Sequence, residues 1–137
     1  MKIYLDHIGI ACDDFDSGTK FWNLLGLTQG SDEIVANQGV ITRFFATSEN
    51  ADKAPMVELL KPTEKDTPIG KFLAKRGPGV QQICFRVENI IDVIKTLKKN
   101  GIQMVNDIPE IGANGAKIAF VHPKSTGGVL VELAQKT

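Results

Sequence analysis

Four side chains with strong donor atoms stand at matched places in this chain. His7 and Glu58 lie 51 residues apart, and Gln82 and Glu132 lie 50 apart. Each sits in a short apolar run that reads as a strand, where side chains alternate between two faces. In IYLDHIGIA, His7 shares a face with Gly9 and Ala11, opposite Ile8 and Ile10. In GVQQICFRV, Gln82 shares a face with Cys84 and Arg86, opposite Ile83, Phe85 and Val87. Glu58 and Glu132 are each flanked by apolar residues of the other face, Val57 and Leu59 for one and Val131 and Leu133 for the other. An imidazole, an amide oxygen and two carboxylates suit a divalent cation of intermediate hardness, with coordination positions left for water or substrate. A dication also offsets the cost of burying two carboxylates near each other.

The elements that must position these groups are written twice. At an offset of 75 residues His7 falls on Gln82, Lys20 on Lys95 and Gly26 on Gly101. The first copy reads as a strand, an Asp13–Asp14 capping pair and a helix with Phe15, Gly18, Trp22 and Leu25 on one face. The second has a strand and a helix with Ile90, Val93, Ile94 and Leu97 inward. With a small slip, GVITRFF resembles GAKIAFV, and MVELL resembles LVELA. Strands are expected near 3–11, 28–36, 39–46, 55–61, 80–87, 102–106, 116–122 and 128–134. DTPIGKFLAKRG supplies a short connecting helix. One copy alone leaves a sheet face bare, so the expectation is one internally duplicated α+β domain over 1–137, with modules about 1–62 and 79–137.

With 137 residues the chain builds one domain rather than two of ordinary size, and its 16 basic and 16 acidic residues cancel. Zero net charge gives no bulk attraction to nucleic acid or membrane. Two cysteines, Cys12 and Cys84, make no disulfide framework and read as small buried residues. The opening MKIYLDHIGIA has too short an apolar run for a signal peptide or a span. The expected compartment is the cytoplasm.

On paired strand-helix-three-strand modules this constellation resembles the vicinal oxygen chelate superfamily, which includes glyoxalases, extradiol dioxygenases and methylmalonyl-CoA epimerases. The epimerase family is the nearer likeness, through LDHIGIACDDFDSGTKFW, VELLKPTEKDTPIGKFLAKRGPG and IGANGAKIAFVHPKSTGGVLVEL. The resemblance implies a cupped mixed sheet and a divalent metal (Co, Mn, Ni or Zn) held by His7, Glu58, Gln82 and Glu132. It also implies a homodimer, and Glu132 doubling as the group that moves the proton. Two positions depart from the family. Gln82 stands where its second His is usual, and Thr42 stands where some epimerases carry a catalytic Glu.

The implied reaction epimerises C2 of a malonyl-type CoA thioester. A dication on the carbonyl and carboxylate oxygens stabilises the enolate while a carboxylate carries the proton. Thr42 can position a water but is no base at neutral pH. Lys124, in the family-like HPKSTGG turn, can meet a phosphate or carboxylate, and Arg86 either binds an anionic group or reaches solvent at a strand end. Two alternatives share the ligand types. One is a lactoylglutathione lyase acting on a glutathione adduct; the other is a binding protein that kept the fold and lost turnover. His122 reads as a turn residue and Trp22 as helix core.

Overall fold

The computed structural model describes residues 2–47 and 55–136. Its elements run β1 (Ile3–Ala11), α1 (Phe15–Leu25), β2 (Thr28–Val35), β3 (Val40–Ala46), β4 (Met56–Pro62), α2 (Pro68–Arg76), β5 (Gly79–Val87), α3 (Ile90–Lys99), β6 (Glu110–Ile111), β7 (Lys117–Val121) and β8 (Val131–Gln135). They gather into two compact units. An amino-terminal unit spans His7–Gln81, and a carboxy-terminal unit takes the residues from Gln82 onward with those up to Asp6, so β1 is divided between them.

In the amino-terminal unit the strand order is β2-β3-β4-β1, with β1 parallel to β4 and the other pairs antiparallel. The register sorts the side chains. Glu58 lies beside Gly9 on one neighbour and Phe44 on the other, which puts His7, Thr42, Phe44, Glu58 and Leu60 on one face. The opposite face carries Ile10, Phe45, Val57 and Leu59, which cluster with Phe15, Trp22 and Leu27. Helix α1 starts at Asp14, whose carboxylate accepts from the Ser17 amide, and stops at Gly26, whose φ of 106° is a left-handed cap. No residue of α1 is fully buried, and Leu25, expected on the inner face, is 62% exposed. At Gly18 the helix comes close to the sheet, where a Cβ would lie 3.1 Å from the Leu59 side chain. Helix α2, the expected connection, packs on β4, and its Ile69 is buried.

The carboxy-terminal unit repeats the scheme in the order β5-β8-β7-β6, with β5 parallel to β8. Glu132 lies beside Cys84 and Phe120, which puts Gln82, Cys84, Phe120, Glu132 and Ala134 on one face. The other face meets α3 in the larger core, where Ile90, Val93 and Ile94 are buried as the periodicity requires.

One strand is not where the sequence places it. Residues 102–106 make a single bridge, Met104 to Val121, and the next ladder forms at Glu110–Ile111. Asn106 supplies the reason: its side chain accepts from the Phe120 amide and donates to the Ile108 carbonyl, taking bonds that a neighbouring strand would otherwise make. Pro109, without an amide proton, keeps the pairing from resuming earlier. Among the described residues, no helix is long and apolar enough to cross a membrane.

Candidate metal and proton-transfer site

Each unit carries one buried polar pair on the face turned away from its helix. In the amino-terminal unit His7 Nε2 lies 3.2 Å from Glu58 Oε1, with the residues 5% and 4% exposed. The Phe44 ring stands edge-on to the imidazole, with centroids 5.2 Å apart at 88°, and limits how the ring can turn. In the carboxy-terminal unit Gln82 Nε2 donates to Glu132 Oε1 at 3.2 Å, and both residues are buried. That bond directs the Gln82 amide nitrogen at the carboxylate and leaves the amide oxygen as the donor atom a metal would use. Cys84, Ile118, Phe120 and Ala134 form an apolar cluster on the same face.

The repeat therefore persists at the level of atoms. A nitrogen-bearing side chain on the first strand of each module meets a carboxylate on its last. Buried carboxylates in apolar surroundings need a compensating positive charge, and imidazole, amide oxygen and carboxylate are all donors to divalent cations of borderline softness. The residues present fit such an ion.

The substrate-binding candidates fall in different settings. Thr42 is 2% exposed, and its hydroxyl has no hydrogen-bond partner among the described residues. It shares the face of His7 and Glu58. Arg86 is committed within its own unit: Nε and Nη2 bond to Asp6 Oδ1 at 3.2 and 3.0 Å. Lys124 is exposed in the turn after β7. In that turn His122 Nδ1 accepts from the Lys124 amide, the structural role expected of it.

Sequence reading missed two acidic residues. Asp6 is 5% exposed and takes both Arg86 and Lys136, whose Nζ lies 2.7 Å from Oδ1. A carboxylate next to a strand histidine was the available signal, but its cations come from the far end of the chain. Glu33 lies directly opposite Thr42 in the β2–β3 ladder, a placement set by a register shift that no residue type announces.

The surroundings of Cys12 agree with a packing role. Its thiol contacts the Leu60 carbonyl, and burial first, then Asp14 and Asp13, push its pKa up to about 11, so it is not a nucleophile at neutral pH.

Comparison with known proteins bears on what the pairs do. Residues 6–120 match the family model described as the Glyoxalase/Bleomycin resistance protein/Dioxygenase superfamily. The chain is 37% identical to the human mitochondrial methylmalonyl-CoA epimerase over 133 residues, covering 96% of this chain and 73% of that protein. It is 36% identical to the ethylmalonyl-CoA/methylmalonyl-CoA epimerase of Cereibacter sphaeroides over 134 residues, covering 96% of each. A variant of Streptomyces coelicolor methylmalonyl-CoA epimerase, solved in complex with 2-nitronate-propionyl-CoA, superposes with a TM-score of 0.91 at 34% identity. That match covers 98% of this chain and 94% of the other.

Proposed function

Because the chain belongs to the Glyoxalase/Bleomycin resistance protein/Dioxygenase superfamily, with epimerases among its full-length relatives, we propose that it is a metal-dependent methylmalonyl-CoA epimerase. The observation that carries this reading is the pairing of each carboxylate with a nitrogen-bearing side chain at equivalent places in the duplicated chain: His7 with Glu58, and Gln82 with Glu132. Together they are the proposed ligands of one divalent ion.

The C2 proton of the substrate lies between a thioester and a carboxylate, and its removal leaves an enolate. When bound, the metal supplies positive charge to the oxygens on which that enolate develops. The chain's residues do the rest. Glu132 takes the C2 proton, its carboxylate oriented by the Gln82 amide, and inversion is complete when the enolate receives a proton on its opposite face. The edge-on Phe44 ring and Glu58 keep the His7 imidazole in one orientation. Thr42 contributes a hydroxyl to the substrate side of the sheet face, and Lys124 an ammonium for the anionic groups of the CoA ester. Arg86, held by Asp6, is the proposed positive charge for a substrate carboxylate. The reading carries with it a homodimer in a reducing cytoplasm, where Cys12 and Cys84 remain thiols.

The test is proton NMR in D₂O with methylmalonyl-CoA and added Co²⁺. Loss of the C2 proton signal with inversion is the expected result. No exchange, together with turnover of a glutathione hemithioacetal, moves the protein to the lyases. If neither substrate turns over and a CoA ester only raises the melting temperature, the protein is a binding module.

A further inference from the structure

The turn between β7 and β8 is held by more bonds than a change of chain direction requires. His122 Nδ1 accepts from the Lys124 amide at 3.1 Å, and the His122 carbonyl accepts from the Ser125 amide at 2.9 Å. The Pro123 carbonyl accepts from the Thr126 and Gly128 amides at 3.1 and 2.9 Å, and the Thr126 hydroxyl accepts from the Val129 amide at 3.1 Å. Two further bonds fasten the turn to another segment of the carboxy-terminal unit. The His122 amide donates to the Gln103 carbonyl and the Gln103 amide donates to Ser125 Oγ, both at 2.9 Å. An ordinary β-turn closes on one such bond. The additional ones fix the backbone around Lys124, so the ordering that binding would otherwise impose is in place beforehand.

On this fixed backbone stands one cation. Lys124 is exposed, and its ammonium meets no carboxylate among the described residues. HPKSTGG contains no acidic residue, whereas SENADKA, at the same distance before VEL in the first copy, has Glu49 and Asp52 against Lys53. The duplicated fold therefore does not call for a basic turn at this place, and the positive charge belongs to the second copy alone. An ammonium is a compact point charge suited to phosphate oxygens. On the reading of the substrate as a CoA ester, we infer that this turn holds a phosphate of the CoA nucleotide. Lys124 makes the contact, and His122 and Ser125 are positioning residues that fix the backbone from which it reaches. The His122 ring acts here as an Asn side chain does when it bonds the amide two residues on. His122→Asn therefore keeps the acceptor and His122→Phe removes it.

The test is titration of the protein with CoA, dephospho-CoA and pantetheine, followed by proton–nitrogen NMR, which needs no turnover. The Lys124 and Ser125 amide signals are expected to move with CoA and to stay in place with pantetheine, which has no phosphate. Movement with dephospho-CoA as well assigns the diphosphate, and movement with CoA alone assigns the ribose phosphate. Lys124→Gln, at an exposed position, is expected to raise the Kd for CoA about tenfold. His122→Phe should raise it several-fold, and His122→Asn should restore it. Turn signals that move equally with pantetheine, or a Lys124→Gln protein that binds CoA as tightly as wild type, overturn the phosphate site. So does CoA that moves other signals and leaves those of the turn in place, a result that leaves the epimerase reading intact. CoA that moves no signal anywhere overturns both. His122→Asn binding as weakly as His122→Phe overturns the positioning role of His122.

Discussion

As proposed metal ligands, the His7–Glu58 and Gln82–Glu132 pairs differ in donor strength: imidazole is a better donor than an amide oxygen for borderline metals, so the carboxy-terminal pair would bind the more weakly. Gln82→His is accordingly expected to tighten Co²⁺ or Zn²⁺ binding by at least about tenfold in calorimetric titration. Glu58→Ala is expected to weaken it by about 100-fold or more. The buried Cys12 behaves oppositely to a reactive thiol. With its pKa pushed up to about 11, it is expected to resist iodoacetamide at pH 8 in folded protein and to react once unfolded, as mass spectrometry would record. The buried polar strand positions His7, Glu58, Gln82 and Glu132 were legible in the sequence because polar residue types recur in a duplicated pattern. Asp6 and Glu33 were not, because an acidic residue near a strand is ordinary until its partner strand and register are known.

Strand–helix alternation was legible for the same physical reason, since apolar period and capping residues agree over most elements. Where side chains intervene in the backbone ladder, as Asn106 does, period alone misplaces a strand. The β2–β3 edge shows what holds such a ladder. Arg43 binds Asp32, donates to Thr19 Oγ1 at 2.9 Å and stacks over the Phe15 ring at 4.3 Å from its centroid. Arg43→Ala is expected to cost about 1 to 2 kcal/mol in urea unfolding, because three modest interactions are lost together. Its hydrogen bond to Arg43 holds the Asp32 carboxyl below its ordinary value of 3.8. That part of the stability is present above 3.8 and is lost as the pH falls through the folded value. The gap between wild type and Arg43→Ala should therefore narrow in acid while the ring contact persists. Gly70 gives a sharper case at the start of α2. A Cβ there would sit 2.4 Å from the Lys65 carbonyl oxygen, so Gly70→Ala should cost about 2 to 3 kcal/mol despite favouring helix.

At the scale of the whole molecule, the duplication gives a chain of 137 residues two similar polar pairs, one in each unit. Each unit folds its pair onto the face its helix does not cover, a placement set by strand register. A metal bound only by folded protein stabilises it by mass action, and the melting temperature should rise with metal concentration. The most direct measurement of the central claim is epimerisation of methylmalonyl-CoA by chelator-stripped protein titrated with Co²⁺. Activity should start near zero, climb linearly, break at one metal ion per chain, and fail to appear in Glu58→Ala at the same metal concentration. Full activity in the stripped protein, or none at any level of Co²⁺, Mn²⁺, Ni²⁺ or Zn²⁺, would contradict a metal-dependent epimerase.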